Sequence, residues 1–202
     1  MFNDISLARY PLRQSLLPGA RGLRIFESLG VVDWLSRPDR YVVVCEGRGG
    51  RIYAADERFL EEAQDLIRNS HGDRVVFREP EVYTYTDAEL NAVVEPVMFL
   101  RIKVPHAYAR EVVTELVLRG VRILEQDMQL YDMVIRAEGT LVNLMGLARS
   151  LNSVGQGSVV FWTWLERYER TLTTFASPQR AGSRSTNESI EPESTASTPP
   201  TG

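Results

Sequence analysis

Residues 95–105 read EPVMFLRIKVP, and this stretch alternates in the way typical of a strand with one buried face. One face would carry Met98, Leu100, Ile102 and Val104, and the other would carry Val97, Phe99, Arg101 and Lys103. The first set is wholly apolar, whereas the second mixes an aromatic ring with two cations. The alternation therefore predicts a strand with one face in a core and the other face open.

The segments that follow this strand alternate between helical and extended patterns. Apolar spacing predicts one helix over residues 107–118, stopped by Gly120, and another over residues 141–153, capped by Thr140. Further strands are predicted at 121–128, 130–137 and 159–169. The order βαββαβ is typical of a ferredoxin-like fold, an antiparallel sheet with both helices on one face. We therefore predict an α+β chain with a ferredoxin-like domain over residues 91–175.

The last predicted strand carries two tryptophans on its outer side. Phe161 and Leu165 belong to the core side, while Trp162 and Trp164 belong to the open side. The first and last strands are neighbours in a ferredoxin-like sheet, and the third strand lies on the other side of the first. The open face would therefore gather Phe99, Arg101, Lys103, Arg136, Trp162 and Trp164, which we predict to bind a partner.

Three kinds of molecule or segment could cover such a face: RNA, another protein chain, or the N-terminal part of this chain. Aromatic rings among cations can stack on bases and meet phosphates, as on RNA-binding sheets. The same residue types are enriched at protein interfaces, including those between two copies of one chain. The N-terminal part of the chain could also fold over the face. RNA is the least favoured, because LYDMVIRA (residues 130–137) lacks the aromatic motif of an RNA-recognition strand.

The motifs between residues 94 and 169 resemble the last domain of translation elongation factor G, a module shared with related translational GTPases. They are Glu95-Pro96-Val97-Met98, Pro105 followed by Tyr108, Gly146-Leu147-Ala148, Gly155-Gln156-Gly157 and Tyr168-Glu169. The resemblance implies a ferredoxin-like fold. It also implies a module that docks to the ribosome or a translation-associated protein without turnover. Trp162 and Trp164 depart from the family, which keeps polar residues there.

Nucleotide binding is not expected from this sequence. The phosphate loop pattern GxxxxGK[ST] is absent from the 202 residues. The nearest stretch, GRGG at residues 47–50, lacks the lysine and lies between two predicted strands, so we interpret it as a hairpin turn. The resemblance therefore covers the C-terminal module of the family without its GTPase domain.

Catalytic and metal-binding patterns are also lacking. Cys45, the only cysteine, lies within an apolar strand, where cysteine usually acts as a small hydrophobe. His71 lies at a predicted helix end, where a cation would suit the helix dipole, and His106 lies at a helix entry. Two distant histidines make a poor metal site. We predict no enzyme activity, no cofactor and no metal.

The remaining segments are predicted from composition and spacing. Residues 1–20 read as a flexible arm, and residues 21–90 as a small ββαβ-like α+β unit with a helical pattern near its start. Residues 176–202 are rich in Ser, Thr, Pro and Glu and are predicted to be disordered.

Charge and hydropathy limit the classes of partner. The net charge of −4 argues against general polyanion binding. No apolar run approaches the roughly 18 residues of a membrane span, so we expect a cytoplasmic protein, with an organelle transit peptide left open. Two functions remain in view: a ribosome-docking module, and a homo-oligomeric scaffold or regulatory domain unrelated to translation.

Overall fold

The computed structural model describes residues 7–19, 30–46 and 49–171, which all belong to one compact unit ending at Thr171. The strands are β1 Leu12–Pro18, β2 Gly30–Val31, β3 Tyr41–Glu46, β4 Gly49–Ala54, β5 Val75–Val82, β6 Tyr85–Asp87, β7 Ala92–Pro105, β8 Arg122–Met128, β9 Asp132–Thr140 and β10 Val160–Arg170. The helices are α1 Glu57–His71, α2 His106–Leu118, α3 Leu141–Leu144 and α4 Leu147–Val154. Single 3-10 turns lie at Asp33–Leu35 and Gly72–Arg74.

The second sheet has the strand order β10-β7-β9-β8, and every neighbouring pair is antiparallel. This is the ferredoxin-like order, so the predicted fold class is confirmed. The alternation along β7 also holds, because Leu100 and Ile102 are fully buried while Arg101 and Lys103 are exposed. A stop at Gly120 is confirmed as well, since this residue has a positive φ of 70° that suits glycine after a helix.

The helical segment 141–153 differs from its prediction, because the structure breaks it into α3 and α4. Gly146 lies at the break with a φ of 73°, in the left-handed region that favours glycine. Its N–H donates to both carboxylate oxygens of Glu57, at 3.0 and 3.2 Å. The predicted cap is wrong, since the Thr140 side chain makes no capping hydrogen bond. The break therefore lets the first turn of α1 hold the start of α4.

The first sheet has the order β2-β3-β4-β1-β5, with β1 paired between β4 and β5. The flexible-arm prediction for residues 1–20 is therefore wrong over Leu12–Pro18. Leu12 and Leu16 are buried, and Gln14 between them donates to the Arg78 carbonyl at 2.7 Å. Pro11 just before the strand and Pro18 at its last position are typical of a loop, which is why the pattern misled the prediction. Residues 1–6 and 20 lie outside the described residues.

Most of the other elements of the first sheet match their predictions. Asp56 caps α1 by accepting a hydrogen bond from the Phe59 N–H at 2.8 Å. Strand β5 runs through Pro80 at the sheet edge, where a missing N–H is tolerated, and the extended pattern that follows Pro80 continues into the separate strand β6. Glu46 pairs with Gly49 across the predicted GRGG turn, whose Gly47 and Arg48 lie outside the described residues.

Three segment predictions need separate comment. The helical pattern near residue 23 lies largely outside the described residues, and Gly30–Val31, at its later part, is a strand. The predicted disordered tail, residues 176–202, also lies outside them. The predicted boundary at residue 90 is a few residues late, because Tyr85–Asp87 pairs with β7 in the second sheet.

The place of β1 in the sheet leads to a stability prediction. Leu12→Ala should lower the free energy of unfolding by about 2–5 kcal/mol, because it leaves a cavity among fully packed neighbours. Leu17→Ala, in the same strand but partly exposed, should cost less than about 1 kcal/mol. Urea denaturation followed by circular dichroism measures both. Small and equal costs would contradict a central β1.

Candidate interaction face of the second sheet

The open face is the side of the second sheet turned away from α2 and α4. The strand register brings together the six residues predicted for it: Phe99, Arg101 and Lys103 on β7, Arg136 on β9, and Trp162 and Trp164 on β10. Trp162 lies opposite Arg101, and Trp164 lies opposite Phe99. On β9, the other neighbour of β7, Arg136 lies opposite Arg101. Directly opposed residues share a face of the sheet, so these side chains are neighbours.

An aromatic stack forms the centre of the open face. The Phe99 and Trp164 rings lie 4.8 Å apart between centroids, with 26° between their planes. The guanidinium of Arg101 lies 5.8 Å from the centroid of Trp162, within cation–π range. Trp162 and Trp164 keep 42% and 45% of their surface exposed. Within the described residues, the N-terminal part of the chain does not cover them.

The cations of the open face differ in whether a carboxylate neutralises their charge. Lys103 pairs with Asp132 at 3.0 Å, and Arg136 pairs with Glu125. Among the residues that the structure describes, Arg101 has no carboxylate within ion-pair distance. The face therefore offers aromatic surface with one uncompensated cation at its centre, rather than a broad positive patch.

A buried carboxylate supports the rim of the face and was missed from the sequence. Glu138 is buried and accepts two hydrogen bonds from Arg167, at 2.7 and 3.2 Å, with Arg122 as a further partner. Simple alternation from Trp164 would have put Glu166 on this face. A β-bulge between Leu165 and Arg167 shifts the register and puts Arg167 opposite Val97 instead.

The far end of β10 anchors the second sheet to the N-terminal residues. The Tyr168 hydroxyl donates to the Ala8 carbonyl at 2.7 Å, and its ring contacts those of Tyr83 and Tyr85. The Arg13 guanidinium lies 3.3 Å from the centroid of Tyr83. Burial, with the two neighbouring tyrosines, raises the pKa of Tyr168 far above that of a free phenol, so this hydroxyl stays protonated.

The catalytic candidates are not brought together. Cys45 is buried within β3, and burial raises the pKa of its thiol. Burial and the nearby Arg74 lower the pKa of His71, so the expected cation at this helix end is not favoured. The His106 ring donates to the Gln129 carbonyl at 2.8 Å. No group of three or more possible metal ligands occurs within residues 7–19, 30–46 and 49–171.

Two further features bear on ligands and membranes. A cavity of about 60 Å³ lies between the start of α1 and the helical side of the second sheet, and its lining combines Leu, Ala and Phe residues with Asp56, Glu57, Arg58, Trp162 and Thr163. It is far smaller than the ~300 Å³ at which small-molecule sites begin. None of the helices in the described part of the chain is long and apolar enough to cross a membrane.

Comparison with known proteins agrees with this geometry. Residues 92–176 match the family described as Elongation factor G C-terminus. This part of the chain is an elongation factor G C-terminal-like module, as the sequence motifs predicted, and such modules belong to translation factors.

One similar solved structure is the crystal structure of ttk003000868 from Thermus thermophilus. The TM-score is 0.54 at 12% sequence identity, over 80% of this chain and 41% of that one. At this identity the likeness concerns the fold alone. This chain spans about two fifths of the length of that protein.

The exposure of the open face leads to a second prediction. A Trp34→Phe variant leaves Trp162 and Trp164 as the only tryptophans of the chain. Because each of them keeps nearly half its surface in water, the Stern–Volmer constant for acrylamide quenching of tryptophan fluorescence should be roughly half that of the urea-unfolded chain. Stern–Volmer titration measures the constant. Quenching near zero would mean that another part of the chain covers the rings.

Proposed function

We propose that this chain is a non-catalytic binding module that docks to the ribosome or a translation component through the open face, without GTP hydrolysis. The observation that carries the proposal is the stacked Phe99–Trp164 pair beside an uncompensated Arg101, on a domain that matches the elongation factor G C-terminus. Half-exposed tryptophans next to an arginine are typical of the residues that dominate binding energy at interfaces. A translation partner accords with a cytoplasmic location.

The face is suited to docking rather than turnover. Its central rings are rigid amphipathic surface, and Arg101 lies between Trp162 and Arg136 in the strand register. The ion pairs Lys103–Asp132 and Arg136–Glu125 hold two further cations in place. A partner that covers the face would bury the two indoles and would present an acceptor to Arg101.

Sedimentation with purified ribosomes at moderate salt tests this proposal. The wild-type chain should appear in the ribosome pellet, and Trp162→Ala/Trp164→Ala should weaken binding by at least about tenfold, because it removes two anchor rings. Trp34→Ala is the matched control, since Trp34 is an exposed tryptophan of the first half and does not belong to the open face.

The outcomes separate clearly. Wild-type protein that stays in the supernatant at every salt concentration would refute ribosome docking. If the wild-type protein is found in the pellet and the double variant binds equally well, the ribosome remains the partner, but the open face does not contribute to the contact. Thermal melts monitored by circular dichroism check that the double variant is folded.

A homo-oligomeric scaffold or regulatory domain is the second candidate. It is favoured by the internal neutralisation of Lys103 and Arg136, which leaves a largely apolar and aromatic face suited to a second copy of the chain. Burying two indoles in such a contact follows the usual composition of homodimer cores.

Multi-angle light scattering distinguishes this second candidate from the first. A dimer that dissociates on Trp162→Ala/Trp164→Ala, but not on Trp34→Ala, would support self-association through the open face. A strict monomer at high protein concentration would count against it and would leave the translation partner as the better explanation.

A further inference from the structure

A second exposed apolar feature lies at the end of the β8–β9 hairpin, away from the centre of the open face. We call residues Met128–Tyr131 the hairpin tip. Its three large side chains are among the most exposed hydrophobic groups of the described residues: Met128 is 68%, Leu130 81% and Tyr131 76% exposed. Three such groups in four consecutive residues are uncommon on a surface without a partner.

The hairpin tip is held in one conformation. The Gln129 N–H donates to the Asp132 carbonyl at 2.8 Å and closes the turn. His106 at the start of α2 contacts the tip twice, through its main-chain N–H to the Tyr131 carbonyl and through its ring to the Gln129 carbonyl. A tip that is already ordered loses little conformational entropy when it inserts into a pocket, so its apolar surface is available for binding.

A carboxylate flanks the apolar side chains on each side, and only that of Asp127 is left without a cationic partner among the described residues. Asp132 pairs with Lys103, but within the described residues Asp127 contacts only the Gln129 amide, at 3.3 Å, and no cation. A phosphate backbone or an anionic lipid surface would be repelled by this carboxylate. A pocket with an apolar floor and a rim of lysine or arginine would complement both features of the tip.

We propose that the hairpin tip inserts into an apolar pocket, rimmed by cations, on a basic protein of the ribosome. This inference rests on the ribosome docking proposed above and adds to it a contact with protein rather than RNA. The open face and the hairpin tip would then act as two separate contacts of one docking event.

Titration of the full chain against purified ribosomes tests the contact. Leu130→Ser should weaken binding about tenfold, because it removes an anchor side chain. Leu118→Ser is the matched control, since Leu118 is 78% exposed at the opposite end of α2 and should leave the affinity unchanged. Asp127→Lys should also weaken binding about tenfold, because it opposes a cationic rim. All three positions are exposed, so the variants should fold.

A photo-crosslinking benzoylphenylalanine in place of Tyr131 identifies the chemistry of the partner. The expected product joins the chain to a basic ribosomal protein, and a product with ribosomal RNA would overturn the inference. If the wild-type chain sediments with ribosomes and Leu130→Ser and Asp127→Lys bind equally well, the tip contact is wrong while ribosome docking stands. If the wild-type chain does not sediment, both fail.

Discussion

The antiparallel pairing of β7 with β10 is the constraint on which the rest of the structure depends. At one end of this ladder Tyr168 reaches the N-terminal residues through the Ala8 carbonyl and the tyrosine cluster. At the other end the same ladder sets Trp164 against Phe99 and Trp162 against Arg101. Because side chains alternate along a strand, a one-residue slip would exchange the core set of β10 with the tryptophans. One register therefore determines both the attachment of the first half and the composition of the open face.

The two halves of the described chain are joined by directional hydrogen bonds and by a shared apolar core. The carboxylate of Glu57 binds the N–H of Gly146, which only becomes available because the helical segment breaks at that glycine. A continuous helix would have used this N–H internally. The apolar core runs without a gap from the β1 residues Leu12 and Leu16 to the β7 residues Leu100 and Ile102. The first sheet thus supports the helical side of the second sheet, and the described part of the first sheet leaves the open face in solvent.

Period-two alternation and turn residues predicted most of the second sheet and the placement of six residues on its open face. That part of the fold depends on local patterns, namely the alternation in EPVMFLRIKVP and the positions of Gly120 and Gly157, both with positive φ. Three features could not be found in this way. Strand β1 was hidden because Pro11 precedes it, Pro18 is its last residue, and its partner strands are distant in sequence. The break at Gly146 depends on Glu57, a residue 89 positions away. The Glu138–Arg167 pair depends on a bulge that reverses the alternation.

The central proposal is that Trp162 and Trp164 mark the surface by which this elongation factor G C-terminal-like module binds a partner. Hydroxyl-radical footprinting of the full chain, read by mass spectrometry with and without ribosomes, tests it most directly because the three tryptophans report separately. The account predicts that ribosomes protect Trp162 and Trp164 from oxidation and leave Trp34 unchanged. If ribosomes leave the oxidation of Trp162 and Trp164 as unchanged as that of Trp34, the account is contradicted.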